Sequence, residues 1–356
     1  MIQQLASKDY GRVAPLFRGL GRHPIVQGIL EGRHPGMVFV DRPGTPRVSL
    51  LWALSDMLFL AGDAGIRDFT RSLPDLFDTT ITRKAREIGQ EFFQIQTEPS
   101  DEWAEITPRV FARSDIFLSY RWEFSFDGDA YRKLPPPPPL TADYEITVVD
   151  AAVLDMWPDL AHRIVSTWTD ASRFFNSGIG YCAKSRGEFV GSCITTHEGA
   201  GACEISVNTD LAKRNQGVAT WLCRKAIDTC VERGLLPCWG TETFRLPSNA
   251  LARKLAFRVV RDFPTYCFPR DGPTDQRALG AYFYSEARPP AEASTNEDSS
   301  ASAARGWSLA GDIALAARFT EEAVKAGTLD LSDLLLSPDF ERLRAAPEWA
   351  ALRARL

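Results

Sequence analysis

Histidine is scarce in this chain: four in 356 residues, at His23, His34, His162 and His197, all far apart. A zinc site or a histidine-based triad has little to build on, and no metal is expected. An excess of basic residues is also missing. Lys and Arg number 41 against 46 Asp and Glu, for a net charge of −5. No cationic surplus exists to neutralise a phosphate backbone, so nucleic acid is not an expected partner. No apolar run reaches the ~18–20 residues that span a bilayer. The opening stretch, Met1 to Lys8, lacks the charged-then-apolar order of a secretion signal. A cytoplasmic protein without a membrane partner is expected. The seven cysteines show no paired spacing. They read as small buried hydrophobes in a reducing compartment.

With 356 residues, 44% of them apolar, the chain can build two globular domains and a small third piece. Five consecutive prolines, Pro135 to Pro139, favour an extended, semi-rigid spacer. A polar, low-complexity stretch ends near Arg305. The predicted division is 1–134, a proline-rich linker 135–142, 143–287, a low-complexity linker 288–305, and a helical tail 306–356.

In the first part, helical runs end near Leu20 and span Pro24 to Glu31. Three strands follow, at Met37 to Val40, Val48 to Trp52 and Met57 to Ala61, with turn chemistry at Asp41-Arg42-Pro43-Gly44. A long helix is predicted from Asp68 to Glu91, a strand at Phe92 to Ile95, a short helix around Trp103 and a last strand from Phe117 to Phe126. In the third part the predicted order is a strand at Ile146 to Val149, helices over Leu154 to Trp168 and Ser172 to Asn176, and strands from Gly180, from Phe189 to Thr195 and from Cys203 to Asn208. A helix follows the loop, with Val218, Leu222, Ala226 and Cys230 as its buried stripe, Ile227 and Val231 beside them, and Gly234 as its end. Then come a strand at Leu236 to Trp239, a helix capped by Ser248, and two closing strands, Phe257 to Val260 and Tyr266 to Phe268. Gly178-Ile179-Gly180-Tyr181-Cys182-Ala183 spells a dinucleotide fingerprint, but it enters a strand rather than leaving one for a helix. His197-Glu198 opens a zinc-protease pattern whose second histidine falls on Gly201. Both motifs are rejected.

The informative stretch is the strand Glu204-Ile205-Ser206-Val207-Asn208-Thr209, then a loop, then Arg214-Asn215-Gln216-Gly217-Val218-Ala219-Thr220 opening a helix. A tight glycine-containing turn at a helix start leaves several backbone N–H groups pointing one way, and the helix dipole adds positive potential there. Such a corner suits a diphosphate. Along the strand, Glu204, Ser206 and Asn208 share one face, and Ile205, Val207 and Thr209 the other.

The spacing Arg-x-x-Gly-x-Ala resembles the acyl-CoA pyrophosphate loop of the GCN5-related N-acetyltransferases (GNAT). From Glu204 to Phe257 the chain reads Glu-Ile-x-Val-x-Thr, Arg-x-x-Gly-x-Ala-Thr, Glu-x-Gly-Leu-x-Pro-x-Trp and Ser-x-x-Leu-Ala-x-Lys-Leu-x-Phe. This resembles the bacterial branch that includes zwittermicin A resistance proteins, over about residues 144–268. Three positions depart from that branch: Lys213 replaces a usual tyrosine, Arg245 an asparagine and Ala256 a glycine. The first part resembles a degenerate GNAT half whose corner, Gly62-Asp63-Ala64-Gly65, lacks the arginine and carries a repelling Asp63. The tail from Ser337 to Leu356 resembles the ends of tetratricopeptide-type arrays, and it is expected to dock on the body of the protein or on a protein partner.

The resemblance implies an α+β fold, with tandem GNAT-like domains and a small all-α segment. It implies an N-acetyltransferase moving acetyl from acetyl-CoA, a co-substrate, to a primary amine of a small molecule, an antibiotic among them, or of a peptide. The alternative is a non-catalytic acyl-CoA sensor or scaffold with a partner-docking tail. Amide groups of Gln216 to Thr220, with Arg214 and Asn215, would hold the pyrophosphate. Val207, Asn208 and Thr209 would pair with the pantetheine arm, and Arg245 and Ser248 would line the end of the cleft. Glu204 is the candidate general base, or else an ordinary acid paired with a neighbour. The helix tyrosine that protonates the leaving thiolate in many relatives is here Ala252, and Tyr266 is the substitute considered. Trp168, Phe174 and Phe175 line the acceptor cleft or belong to the core. A monomer or homodimer is expected.

Overall fold

The computed structural model describes residues 2–21, 23–111, 116–140, 143–210, 213–271, 275–287 and 299–356. Part of the predicted low-complexity linker, 288–298, thus lies outside the described residues. After β1 (Gln3–Gln4), a long 3₁₀ segment (Ser7–Leu20) and α1 (Pro24–Leu30), the meander β2 (Met37–Val40), β3 (Val48–Trp52) and β4 (Met57–Gly62) forms as its turn residues predict. Asp41 Oδ1 organises the first turn by accepting the Arg47 N–H at 2.9 Å. β3 is buried on both faces: Leu50 and Trp52 join Phe69 and Phe77 in one core, and Leu51 joins Phe17 and Ile29 in another.

The predicted helix over 68–91 is broken into α2 (Arg67–Arg71), α3 (Leu73–Leu76), a π-helical stretch (Phe77–Ile81) and α4 (Thr82–Glu87). Pro74, near the start of α3, has no N–H to continue the preceding turn. β5 (Phe92–Thr97), α5 (Asp101–Phe111), β6 (Phe117–Phe126) and α6 (Gly128–Arg132) complete the first half. The second half runs β7 (Tyr144–Val148), α7 (Ala151–Met156), α8 (Pro158–Trp168), α9 (Ala171–Ser177), β8 (Gly180–Ser185), β9 (Glu188–Gly199), β10 (Ala202–Thr209), α10 (Val218–Glu232), β11 (Leu236–Glu242), α11 (Leu246–Lys254) and β12 (Phe257–Pro269). The two predicted closing strands are one, β12, with a register shift between Val259 and Arg261.

The described strands form a single twelve-stranded sheet, in the order β1-β2-β3-β4-β5-β12-β6-β11-β10-β9-β8-β7. That order is a pseudo-twofold: exchanging β1–β6 with β7–β12 reverses the list onto itself. Each half lends its last strand to the other. β12 lies between β5 and β6, and β6 lies between β12 and β11. The halves are therefore one sheet, not two bodies joined by a spacer. The proline run is anchored too: Trp221 Nε1 on α10 donates to the Pro138 carbonyl at 2.7 Å. The halves also meet where α1 lies on β9. A Cβ on Gly199 would sit 2.2 Å from the Gly28 nitrogen, so only glycine allows this approach. His34 locks the contact: its Nδ1 donates to the Thr167 carbonyl and its Nε2 accepts the Glu198 N–H, both at 2.8 Å.

Beyond the sheet lie α12 (Gln276–Ala287), α13 (Ser299–Ala310), α14 (Ile313–Lys325), α15 (Leu331–Leu336), α16 (Glu341–Ala345) and α17 (Trp349–Arg353). Residues 299–305, read as linker, are the first turns of α13, with Ala301, Ala303 and Ala304 buried. Small residues there let α13 press on α12: a Cβ on Gly306 would lie 1.8 Å from the Gly280 carbonyl oxygen. Arg305 joins α15 through Asp333 at 2.6 Å and contacts Asp339 at 3.3 Å. This helical module shares a core with Phe244 and Cys267 of the second half, so it docks on the body. Among the described residues, no helix is long and apolar enough to cross a membrane.

Candidate active site

β10 pairs with β9 along its whole length but with β11 only over Ala202–Glu204, in parallel with Leu236–Cys238. From Trp239 onward β11 turns to β6. The two parallel neighbours part at Glu204, and among the described residues the edge of β10 from Ile205 to Thr209 has no strand partner and faces a cleft. Val207, Asn208 and Thr209 lie on this edge. The first half differs: β4 stays paired to β5 over Met57–Leu60, and the Glu98 N–H extends the pairing to the Leu60 carbonyl at 2.8 Å.

At the far end of the cleft the chain turns into α10. Asn215 and Gly217 take φ of 63° and 84°. Gly217 is the N-cap residue and no side chain caps the helix. A Cβ there would meet only Leu140, at 3.8 Å, so the glycine is required by its backbone angle, and the space above it is open. Among the described residues, no backbone or side-chain group accepts from the N–H groups of Asn215, Gln216, Gly217, Val218, Ala219 or Thr220. The Gln216 side chain is held by the Tyr144 hydroxyl, which donates to its Oε1. Lys254, at the end of α11, brings its ammonium to 3.4 Å from the Thr220 hydroxyl. Sequence reading missed this cation, because the contact joins residues 34 positions apart on two different helices. Val218, Leu222, Ala226, Ile227 and Cys230 are buried as expected, but Val231 is 46% exposed.

At the vertex, Glu204 Oε1 accepts the Gly240 N–H at 3.2 Å. Burial pushes its carboxyl up to about 7, against the pull of Arg121 and the Gly240 N–H. It lines a cavity of about 30 Å³ with His23, Gln96, Arg121, Glu123, Cys238 and other residues of both halves. Arg121 is bonded to Glu242 at 2.5 Å and to the Gly240 carbonyl at 3.0 Å. Burial alone would raise Glu242, but Arg121 and Arg245 hold it below the usual range. His197, in cross-strand register with Glu204, is 4% exposed, and among the described residues neither ring nitrogen has a hydrogen-bond partner.

The structure does not bring every predicted site residue here. Tyr266 sits in the core of the first half and donates to the Ala104 carbonyl at 3.2 Å; it does not line the cavity with Glu204. Arg245 is the N-cap of α11 and pairs with Glu242 at 2.8 Å. Ser248 is not a cap. It lies inside α11 and accepts from Trp239 Nε1 at 3.2 Å, fixing that ring at the cleft wall. Trp168 and Phe174 are core residues, each 2% exposed, whereas Phe175 is at the surface. Among the described residues, no group of three or more His, Cys, Asp or Glu is placed to hold a metal.

An acidic group at the vertex of a cleft that ends in a corner of amides with no acceptor among the described residues can take a proton from a nucleophile beside an anionic, extended donor. The family model described as GNAT acetyltransferase matches residues 14–266. An uncharacterized N-acetyltransferase of Bacillus subtilis, YdfB, is 24% identical over 270 residues, covering 75% of this chain and 98% of that protein. A GCN5-related N-acetyltransferase-like protein from Streptococcus suis superposes with a TM-score of 0.56 at 21% identity, covering 74% of this chain and 99% of its own. A tandem GNAT protein from the clavulanic acid biosynthesis pathway aligns at a TM-score of 0.49 and 14% identity, over 77% of this chain and all of that one. By the match of the family model to well over half its length, the chain belongs to the GNAT acetyltransferase family and is an acyltransferase.

Proposed function

We propose that the chain transfers the acetyl group of acetyl-CoA to a primary amine of a small molecule or peptide. The observation that carries this reading is the parting of β10 from β11 at Glu204, which joins a candidate base to a corner whose amides have no acceptor among the described residues. The pyrophosphate would sit on the amides of Gln216 to Thr220, with Arg214, Asn215 and Lys254 adding donors or charge. The pantetheine arm would add to the open edge of β10 along Val207, Asn208 and Thr209, and a β10 amide would polarise the thioester carbonyl. Arg245 and Ser248 act indirectly, through Glu242 and Trp239.

In the reaction the Glu204 carboxylate takes a proton from the acceptor's ammonium. The freed amine attacks the thioester carbonyl carbon, the C–N bond forms, the C–S bond breaks, CoA leaves as thiolate, and the second proton shed by the attacking nitrogen passes to that thiolate to give the thiol and the amide. Because a thiol has a pKa of only ~8.5, it can leave without a protein acid. The likeness of Glu204 to Phe257 to the zwittermicin A resistance branch supports a small-molecule amine as acceptor. A sensor or scaffold reading is favoured by one observation: among the described residues, no tyrosine lines the vertex cavity. Thiol release from acetyl-CoA over a panel of amines tests the choice. Turnover with an amine is expected; tight CoA binding with no turnover on any amine would favour the sensor.

A further inference from the structure

We propose that the two halves jointly form a pocket for a primary alkylammonium head group, with Glu123 and Gln96 of the first half as its specificity-determining contacts. This deepens the acetyl-transfer reading and rests on it only for the later fate of the amine. Glu123 enters the vertex because β6 is lent to the second half, where it pairs with Gly240, the residue whose N–H holds Glu204. Gln96 stands on β5, in register with Thr265 of β12, and is 1% exposed. Both side chains line the same cavity as Glu204.

Buried polar atoms collect there: among the described residues Gln96 Oε1 and Glu123 Oε2 have no hydrogen bond, Glu123 Oε2 being ion-paired with Arg261 at 3.6 Å, and His23 Nδ1, a donor or an acceptor according to its tautomer, has none either. Among the described residues, Glu204 takes only the Gly240 N–H, on one oxygen. Burial, with Arg121 and Arg261 nearby, pushes His23 down to about 3, so its ring is neutral and adds no charge. Burial also raises the Cys238 thiol, which stays protonated. Two cations face the site, and both are engaged. Arg121 is spent on Glu242 and the Gly240 carbonyl. Arg261 donates to the Gly19 carbonyl at 2.6 Å and leaves its Nε 3.6 Å from Glu123 Oε2.

Each buried acceptor left unpaired costs ~1–3 kcal/mol. An ammonium supplies three N–H donors and the charge that two carboxylates call for. A hydroxyl supplies one donor, and an anion none. A cavity of about 30 Å³ is the size of one water. It takes the –NH₃⁺ head and leaves the rest of the acceptor outside, which excludes quaternary amines by size. The first half, without a donor site of its own, thus supplies part of the acceptor site.

Isothermal titration of n-butylammonium chloride into the full chain, with and without acetyl-CoA, tests this, with n-butanol and tetramethylammonium as controls. Butylammonium is expected to bind at least about tenfold more tightly than either control, and Glu123→Gln to weaken it by about tenfold or more, since bonds to a charged group carry ~1.5–3 kcal/mol. Gln96→Leu is expected to weaken it by about threefold, and acetyl-CoA affinity to stay within about twofold in both variants. Equal binding of n-butanol, unchanged binding in Glu123→Gln, or no butylammonium binding because the cavity takes only water would each overturn the proposal. If Glu123→Gln does not fold, Gln96→Leu and Gln96→Met decide it. Butylammonium binding as expected without any acetyl-CoA binding would sink the acetyl-transfer reading and leave the pocket standing.

Discussion

The two halves present the same corner in opposite states. In the first half, Gly65 N–H bonds to Asp63 Oδ1 at 2.9 Å, the Asp63 N–H bonds to the Arg47 carbonyl at 2.9 Å, and Glu98 takes the N–H groups of Gly62 and Gly19 at 3.2 Å each. The chain's own carboxylates occupy the place where an anion would sit. In the second half the matching amides, Asn215 to Thr220, have no acceptor among the described residues. Beside the closed corner the strands stay paired; beside the open one they part. One architecture thus serves two ends: the closed copy gains internal hydrogen bonds, and the open copy leaves donors for a ligand.

The comparison can be broken at several points. The largest effect is expected at Glu204: Glu204→Gln lowers kcat by ~100–10,000-fold with little change in acetyl-CoA affinity. In the wild type, kcat/KM should rise with pH through about 7, as the raised carboxyl loses its proton, and that limb should vanish in the variant. Full activity in Glu204→Gln would remove Glu204 from the mechanism. Next is Gly217→Glu, which places a bulky anion on the open corner. Acetyl-CoA affinity should fall by about 100-fold, near 3 kcal/mol, while circular dichroism stays native. Unchanged affinity would count against the corner.

Gly62→Ala is the counterpart in the closed half. Its φ is 93° and a Cβ would lie 2.3 Å from the Arg47 carbonyl. A loss of about 1–3 kcal/mol in urea unfolding is expected, with acetyl-CoA affinity intact. A drop in affinity without a drop in stability would reverse the roles of the two halves. The smallest effect concerns stability at the vertex. Burial lifts the Glu204 carboxyl to about 7 in the folded chain against 4.5 for the free side chain, so its penalty is absent below pH 4, builds as pH rises from about 4.5 to 7 and levels off above that. Glu204→Gln should therefore stabilise the protein at pH 8 by about 1–2 kcal/mol, discounted for partial exposure, with no gain at pH 4. No difference at either pH would place Glu204 in ordinary solvent.

The parts legible in the sequence were those set by local chemistry. The meander β2–β4 follows from alternating apolar residues and the Asp41 turn, and the corner before α10 from Gly217 and its neighbours. The exchange of β6 and β12 was not legible, because strand partners distant in sequence leave no local mark. That explains the misplacement of Tyr266: the last strand of the second half turns its side chain into the core of the first. It also explains why Glu123 and Gln96 drew no notice. Residues 299–305 of α13 read as linker because their alanines and serines look featureless, yet those alanines are buried, and in the same helix small size is what lets Gly306 meet Gly280. Ser248 looked like a cap, but Pro247 fits the first turn of a helix, and α11 starts before it.

The most direct test of the central claim is amide hydrogen exchange of the full chain with and without acetyl-CoA. The account predicts new protection at Asn215 to Thr220 and along Ile205 to Thr209, and none at Gly62 to Ile66. Protection at the first-half corner, or no change at the second, would contradict it.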